Sequence, residues 1–268
     1  MCLIVLAWQV LPGVPIIACA NRDEFYDRPA TPAAPWPEHP HVIAGRDLQG
    51  GGSWMGVTTT GPNGPKFAAL TNIRGPAERR ENAPSRGELV AGFLTGSQSA
   101  ADYLDEIVAR GDVYNGYNLV LGDRDTLYWY SNRGGEDPRN GQPLEPGRIY
   151  GISNGLLDAP WPKVLRTKAQ FASLLCQAAP EDAYFEMLAD TTRAPDLRLP
   201  ETGMPIEVER MLSPVCIEME GYGTRTSTVV KLYREGEPEL HERVLQPDSQ
   251  VASDAASAAP LHRRATSR

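Results

Sequence analysis

The amino-acid sequence predicts an α+β chain, in which strands and helices come in separate runs. Three observations carry this. The apolar patterns run strands, helices, strands, helices, strands, without the regular alternation of a doubly wound sheet. The composition is that of an ordinary globular protein, 41% hydrophobic and 22% charged over 268 residues. No apolar run approaches the roughly 20 residues that cross a bilayer. We read residues 1–248 as one domain and 249–268, rich in Ala and Ser around Arg263-Arg264, as a disordered tail. The formal net charge of −8 argues against nucleic acid or an anionic membrane as partner, because phosphates repel a surface without a basic stripe.

The N-terminus resembles a secretory signal at first sight, since residues 3–20 are largely apolar. The basic leading region is missing, however, and Pro12, Gly13 and Pro15 interrupt the stretch. A hairpin fits better: strand Cys2–Val10, a turn at Leu11-Pro12-Gly13, and strand Val14–Ala20. Both runs lack alternation, as strands buried on two faces do. The chain is then expected to be cytoplasmic. A Pro-rich loop follows through His41, then strands at Val42–Ala44, Trp54–Thr60 and Phe67–Asn72, with Gly50-Gly51-Gly52 as a turn. Ser85-Arg86-Gly87-Glu88 has capping-box spacing and predicts a helix start. A second helix is expected over Ala100–Ala109, with Ala101, Leu104, Ile107 and Val108 on its apolar face. Strands Tyr117–Gly122, Thr126–Ser131 and Arg148–Ser153 come next, then helices Pro162–Gln177 and Glu181–Ala189. Strands Thr226–Tyr233 and His241–Leu245 close the domain.

Four scattered cysteines form no C-x-x-C pair, so zinc, thioredoxin and disulfide-scaffold readings lack support. Histidines are scarce as well: His39, His41, His241 and His262. Cys2 is the informative residue. A small residue after the initiator Met permits removal of that Met, which leaves a free α-amine beside the thiol. That amine, with an ordinary pKa of roughly 7.7–8.0, can take the thiol proton directly or through a water. Such a pair needs no histidine. By itself, Cys2 reads more readily as a small buried hydrophobe, since free cysteines are commonly buried. The predicted hairpin supplies neighbours, because antiparallel pairing returns Asn21-Arg22-Asp23-Glu24 to the side of Cys2. Arg22 can lower the thiol pKa and hold a carboxylate or carbonyl, Asp23 can orient the amine, and Asn21 can donate a hydrogen bond. Asn72, Asn118 and Asn154 sit at the ends of buried-looking strands, where an amide can serve an oxyanion or simply close a turn. Arg225, in Thr224-Arg225-Thr226-Ser227-Thr228, faces either a site or solvent.

Taken in order, Met1-Cys2, Asn21-Arg22-Asp23-Glu24-Phe25-Tyr26 with Arg28-Pro29, Gly51-Gly52-Ser53-Trp54-Met55-Gly56, Ala69-Leu70-Thr71-Asn72-Ile73-Arg74, Tyr117-Asn118-Leu119-Val120, Gly151-Ile152-Ser153-Asn154-Gly155 and the 224–228 run resemble the NRDE family, that of Transport and Golgi organisation protein 2. The resemblance covers residue 1 to about 245. It implies similarity to N-terminal nucleophile hydrolases of the bile-salt hydrolase and penicillin acylase kind, and so a four-layer αββα sandwich of two mainly antiparallel sheets. In those enzymes the N-terminal Cys attacks an amide, an Arg and an Asp follow the second strand, and strand-end asparagines hold the oxyanion. By motif position Cys2, Arg22, Asp23 and Asn154 are the counterparts. The hydrolases tend to read Arg-Asn-x-Asp where this chain has Asn21-Arg22-Asp23-Glu24, so Asn21 and Arg22 both stand as candidates for the arginine role. Animal members are associated with secretory organisation, haem handling and lipid metabolism.

Two functions follow. The first is an amidohydrolase or acyl-transfer enzyme on a linear amide or acyl substrate, needing no cofactor or metal, with Cys2, Arg22, Asp23 and Asn154 catalytic and Asn21, Asn72, Asn118 and Arg225 in substrate or oxyanion contacts. The second is a non-catalytic carrier using the same cleft for haem, acyl-CoA or another amphipathic ligand.

Overall fold

The computed structural model describes residues 2–61, 64–75, 80 and 82–245; the expected tail at 249–268 lies outside them. The N-terminal hairpin is the first feature of the architecture. Strand β1 (Cys2–Leu11) and strand β2 (Val14–Phe25) pair antiparallel about Gly13, whose φ of 78° suits glycine. Their side chains alternate between two buried environments. Ile4, Leu6, Trp8, Ile16, Ala18 and Ala20 enter one apolar cluster, while Val5, Ala7, Ile17 and Cys19 enter another. This two-sided burial is why the sequence shows no polar alternation there.

Two six-stranded antiparallel sheets form. In the first, β1 and β2 are central. Strand β9 (Arg148–Ile152) flanks β1, and β11 (Tyr222–Leu232) flanks β2, with β10 (Glu218–Met219) and β12 (Glu239–Val244) beyond β11. The second sheet runs in sequence order: β3 (Ala30–Trp36), β4 (His39–Asp47), β5 (Met55–Thr58), β6 (Phe67–Asn72), β7 (Tyr117–Gly122) and β8 (Leu127–Ser131). The sheets share a core that includes Trp8, Met55, Phe67 and Trp129. Helices α1 (Gly87–Thr95) and α2 (Ala100–Arg110) bury Leu89, Phe93, Tyr103 and Ile107 against the outer face of the second sheet. Helices α3 (Pro162–Cys176) and α4 (Glu181–Leu188) bury Phe171, Leu175, Phe185 and Leu188 against the outer face of the first. The layers therefore run helices, sheet, sheet, helices. A short α5 (Ile206–Met211) precedes the last strands.

Several local expectations change. The Pro-rich segment read as loop contains β3, an edge strand, where Pro32 and Pro35 forfeit no ladder bonds that a central strand would need. Ser85 does not cap α1: Arg86 stands at the N-cap without a side-chain bond, and Glu88 accepts from the Tyr114 hydroxyl instead. In α2 the buried face is Ala100, Tyr103, Leu104 and Ile107, because Tyr103 anchors it through a bond to the Leu89 carbonyl; Ala101 and Val108 are exposed. All four cysteines are free. Among the described residues, no helix is long and apolar enough to cross a membrane.

Candidate active site

The hairpin register decides what Cys2 faces. Cys2 opens β1 and lies directly across from Arg22 on β2. Cross-strand partners share a face, so both project to the inter-sheet side, as Ile4 and Ala20 do next to them. There the sheets diverge around a cavity of about 820 Å³, within the size range of small-molecule sites. Cys2, Arg22, Asp23 and Glu24 line it from the first sheet, and Leu70 and Asn72 from the end of β6. The remaining wall comes from two loops. One is 47–54 and the other is the lead-in to α1, residues 83–87, with Arg80 and Asn115 beside it. Gly52 lets these loops touch: its φ is 75°, and a Cβ there would stand 2.2 Å from the Gly87 carbonyl oxygen.

Asp47 holds the cavity edge together. Its Oδ2 accepts from Arg28 Nε at 2.7 Å and from Arg22 Nη2 at 3.3 Å, while Oδ1 accepts the backbone N–H groups of Gln49 and Gly50. Burial works against this charge, yet the Arg28 bond and the Gly50 N–H hold the Asp47 carboxyl below the usual range. The Arg22 guanidinium is 5% exposed and lies 4.3 Å from the centroid of the Trp54 ring. Burial pushes the Cys2 thiol up, and the Asp23 carboxyl adds to that; the Asp23 backbone N–H and Arg22 pull the other way. Ser153 on the neighbouring segment donates to the Cys2 carbonyl at 3.0 Å.

Odd residues of β2 up to Asn21 face the helices, and Asp23, near the end of the strand, also borders the cavity. Asp23 is 1% exposed, and its Oδ1 accepts from Thr224 Oγ1 at 2.6 Å. Burial raises its carboxyl pKa, opposed most by Lys163. Asn21 also lies on this side, where its amide donates to the carbonyls of Leu188 and Val215 and accepts from Ser227 Oγ.

The eight residues expected at the site therefore separate. Cys2, Arg22, Asp23 and Asn72 come together at the cavity. Asn154 stands behind it, fully buried, its amide donating to the Asn72 carbonyl at 2.8 Å. Asn118 ties Thr71, Gly155 and the Trp129 indole together. Arg225 donates to the Phe25 and Arg28 carbonyls and closes the turn after β2. Asn21, Asn118, Asn154 and Arg225 are not among the lining residues. Of the two candidates for the arginine role, Arg22 is the one whose side chain reaches the cavity.

Sequence reasoning did not name Arg28, Asp47, Trp54 and Arg86 as site residues; they line the cavity from the turn after β2, from loop 47–54 and from the lead-in to α1, with no shared spacing. It also missed Lys163, buried at 2% exposure in the first turn of α3. A signal existed for Lys163, since a cation in a first helical turn opposes the macrodipole.

As for cofactors, Cys2 is the soft metal ligand among the described lining residues, and no histidine joins it. His39 and His41 meet edge to face along β4, at 6.0 Å between ring centroids. Elsewhere Glu181, Glu239 and His241 cluster, but Lys231 Nζ already lies 3.6 Å from both carboxylates.

Sequence comparisons agree with this pattern of motifs. A profile described as Transport and Golgi organisation 2 matches residues 1–247. The Transport and Golgi organization protein 2 homologs of Bos taurus and Homo sapiens are each 36% identical over 264 residues, covering 91% of this chain and 92% of theirs. The Drosophila melanogaster Transport and Golgi organization protein 2 is 28% identical over 259 residues, covering 87% of each chain. Matched along nearly its whole described length, the chain belongs to the Transport and Golgi organisation 2 family.

Proposed function

We propose that this protein is an N-terminal cysteine acyl-transfer enzyme, an amidohydrolase acting on a linear amide or acyl substrate with an N-terminal nucleophile hydrolase-like fold. One observation carries the reading: Cys2 lines a cavity of about 820 Å³, directly across the hairpin from a buried arginine. Removal of Met1 gives Cys2 its α-amine. The amine takes the thiol proton, the thiolate attacks the substrate carbonyl, and the leaving group departs with that proton. Water then hydrolyses the thioester and restores the thiol. Asp23 holds the resulting ammonium. Arg22 binds a carboxylate or carbonyl of the substrate through the donors it does not spend on Asp47. Asn72 serves the oxyanion, with Asn154 fixing the Asn72 backbone from behind. The charged lining, with Arg22, Arg28, Arg80 and Arg86 against Asp23, Glu24 and Asp47, favours a substrate bearing a polar or anionic group over a wholly apolar chain. The reading puts the protein in the cytoplasm, where its free thiols stay reduced.

The test is mass spectrometry of the purified protein after exposure to a panel of N-acyl amino acids and acyl-CoAs. The intact mass should show loss of Met1, and an acyl adduct should map to Cys2 and vanish in Cys2→Ala. Retained Met1, or saturable ligand binding unchanged by Cys2→Ala with no adduct, would replace this reading with that of a carrier.

A further inference from the structure

Lys163 is a lysine in an unusual place. It is 2% exposed, and its Nζ has no hydrogen-bond partner among the described residues. It sits one residue after Pro162 in the first turn of α3, where the helix dipole disfavours a cation. An ammonium desolvated in this way is costly unless a carboxylate compensates it. The carboxylate whose charge acts on it most strongly is Asp23, and Cys2 acts on it in the same favourable sense.

We propose that Lys163 is a positioning residue of the Cys2 centre: its buried ammonium keeps Asp23 a carboxylate, so that Asp23 can hold the Cys2 amine. The inference rests on the reading that this amine works as the base. Burial alone pushes the Asp23 carboxyl up toward its neutral form, and Lys163 is the largest influence in the opposite direction. The N-terminal ammonium, the group that Asp23 is to hold, is the next favourable influence, and the other groups facing this pocket act more weakly. Arg74 also favours the charged Asp23, but its guanidinium is spent on Glu209 and on the face of Trp161. Thr224 contributes a neutral hydrogen bond. Tyr222, Tyr26 and Cys216 are all pushed above their ordinary values by burial and stay neutral beside the carboxylate. Burial brings Lys163 itself down to about 8, so it still carries its proton at pH 7.

The test compares full-length wild type, K163M, K163R and K163M/D23N by infrared spectroscopy at pH 7, and follows Cys2 acylation by p-nitrophenyl acetate against pH. K163M should gain the absorption of a protonated carboxylic acid, which K163M/D23N loses and K163R never shows. The acid limb of the K163M acylation profile should move up by about one pH unit or more, with K163R near wild type. A merely structural role would lower the plateau and leave the limb in place. Absence of the new acid band, or an unmoved limb, overturns the proposal. If K163M does not fold, D23N carries the test: the Lys163 ammonium, followed by its 13Cε resonance, must titrate lower than in wild type, and an unchanged value overturns the pairing. A wild type that p-nitrophenyl acetate never acylates at Cys2 sinks the enzyme reading, while the infrared bands and the 13Cε titration still decide whether Lys163 sets the charge of Asp23.

Discussion

Asn21 and Arg22 are consecutive residues of β2, and they end in opposite surroundings. Asn21 enters the helix-facing side, where every polar atom of its amide is used: two carbonyls accept from it and Ser227 donates to it. Arg22 enters the inter-sheet side, where it borders open space and spends one long bond on Asp47. Both are buried polar side chains at the same end of one strand. The difference teaches that burial of polarity is a structural device when all hydrogen bonds close, and a functional resource when some are left to a cavity.

That contrast can be broken by substitution. Asn21→Ala leaves Ser227 and two backbone carbonyls without their partner, and should cost roughly 3 kcal/mol in denaturant unfolding. Asn118→Ala, which unties Thr71, Gly155 and Trp129, should cost a similar amount, about 3 kcal/mol. A loss below about 1 kcal/mol in both would show that these amides are not structural. Lys163 sharpens the comparison through pH. Its folded value of about 8 is below that of an unfolded lysine, so the folded state binds fewer protons between the two. Stability from this group is therefore full above the unfolded value near 10.4 and is lost as pH falls through the folded one. Wild type should gain on the order of 3 kcal/mol across that window, and K163M should show no such gain in urea midpoints measured along the same pH series.

On the cavity side the effects on stability are smaller and the effects on chemistry larger. Arg22→Ala removes the stacking on Trp54 and one bond to an Asp47 that Arg28 still holds, so about 1–2 kcal/mol should be lost. Acylation of Cys2 by an anionic probe should fall roughly 10-fold or more, the worth of one charge-assisted bond. Equal rates for wild type and variant would separate Arg22 from substrate binding. The smallest effect belongs to Ser153→Ala, which deletes the bond to the Cys2 carbonyl and a longer contact to Asn154 Oδ1, and should cost about 1 kcal/mol by thermal unfolding.

Much of the fold is legible in residue pattern. The unalternating runs 2–10 and 14–20 identify a two-sided buried hairpin, and its turn at Gly13 brings residues 21–24 back beside Cys2; the pairing with Arg22 itself depends on the register shift between Trp8 and Leu11. Helix α2 follows from periodicity, although it turns a slightly different face inward once Tyr103 finds the Leu89 carbonyl, whereas α1 is expected from a capping box that Ser85 does not form. Strand β3 is hidden because prolines argue against a strand unless its edge position is known. At the site, Cys2, Arg22 and Asp23 are close in the hairpin and so can be named from spacing. Asp47, Trp54 and Arg86 cannot, since they arrive on two loops outside the hairpin, 47–54 and 83–87.

Sequence by itself determined the hairpin, the return of residues 21–24 to the side of the second residue, and the family, because these depend on local alternation, one turn and ordered motifs. Only the tertiary structure decided which polar residues face the cavity and which are consumed in packing. An asparagine at a strand end carries the same local signature in either role. Whether its amide meets a carbonyl from another layer or empty space depends on how two sheets and their covering helices stack, which no local pattern encodes.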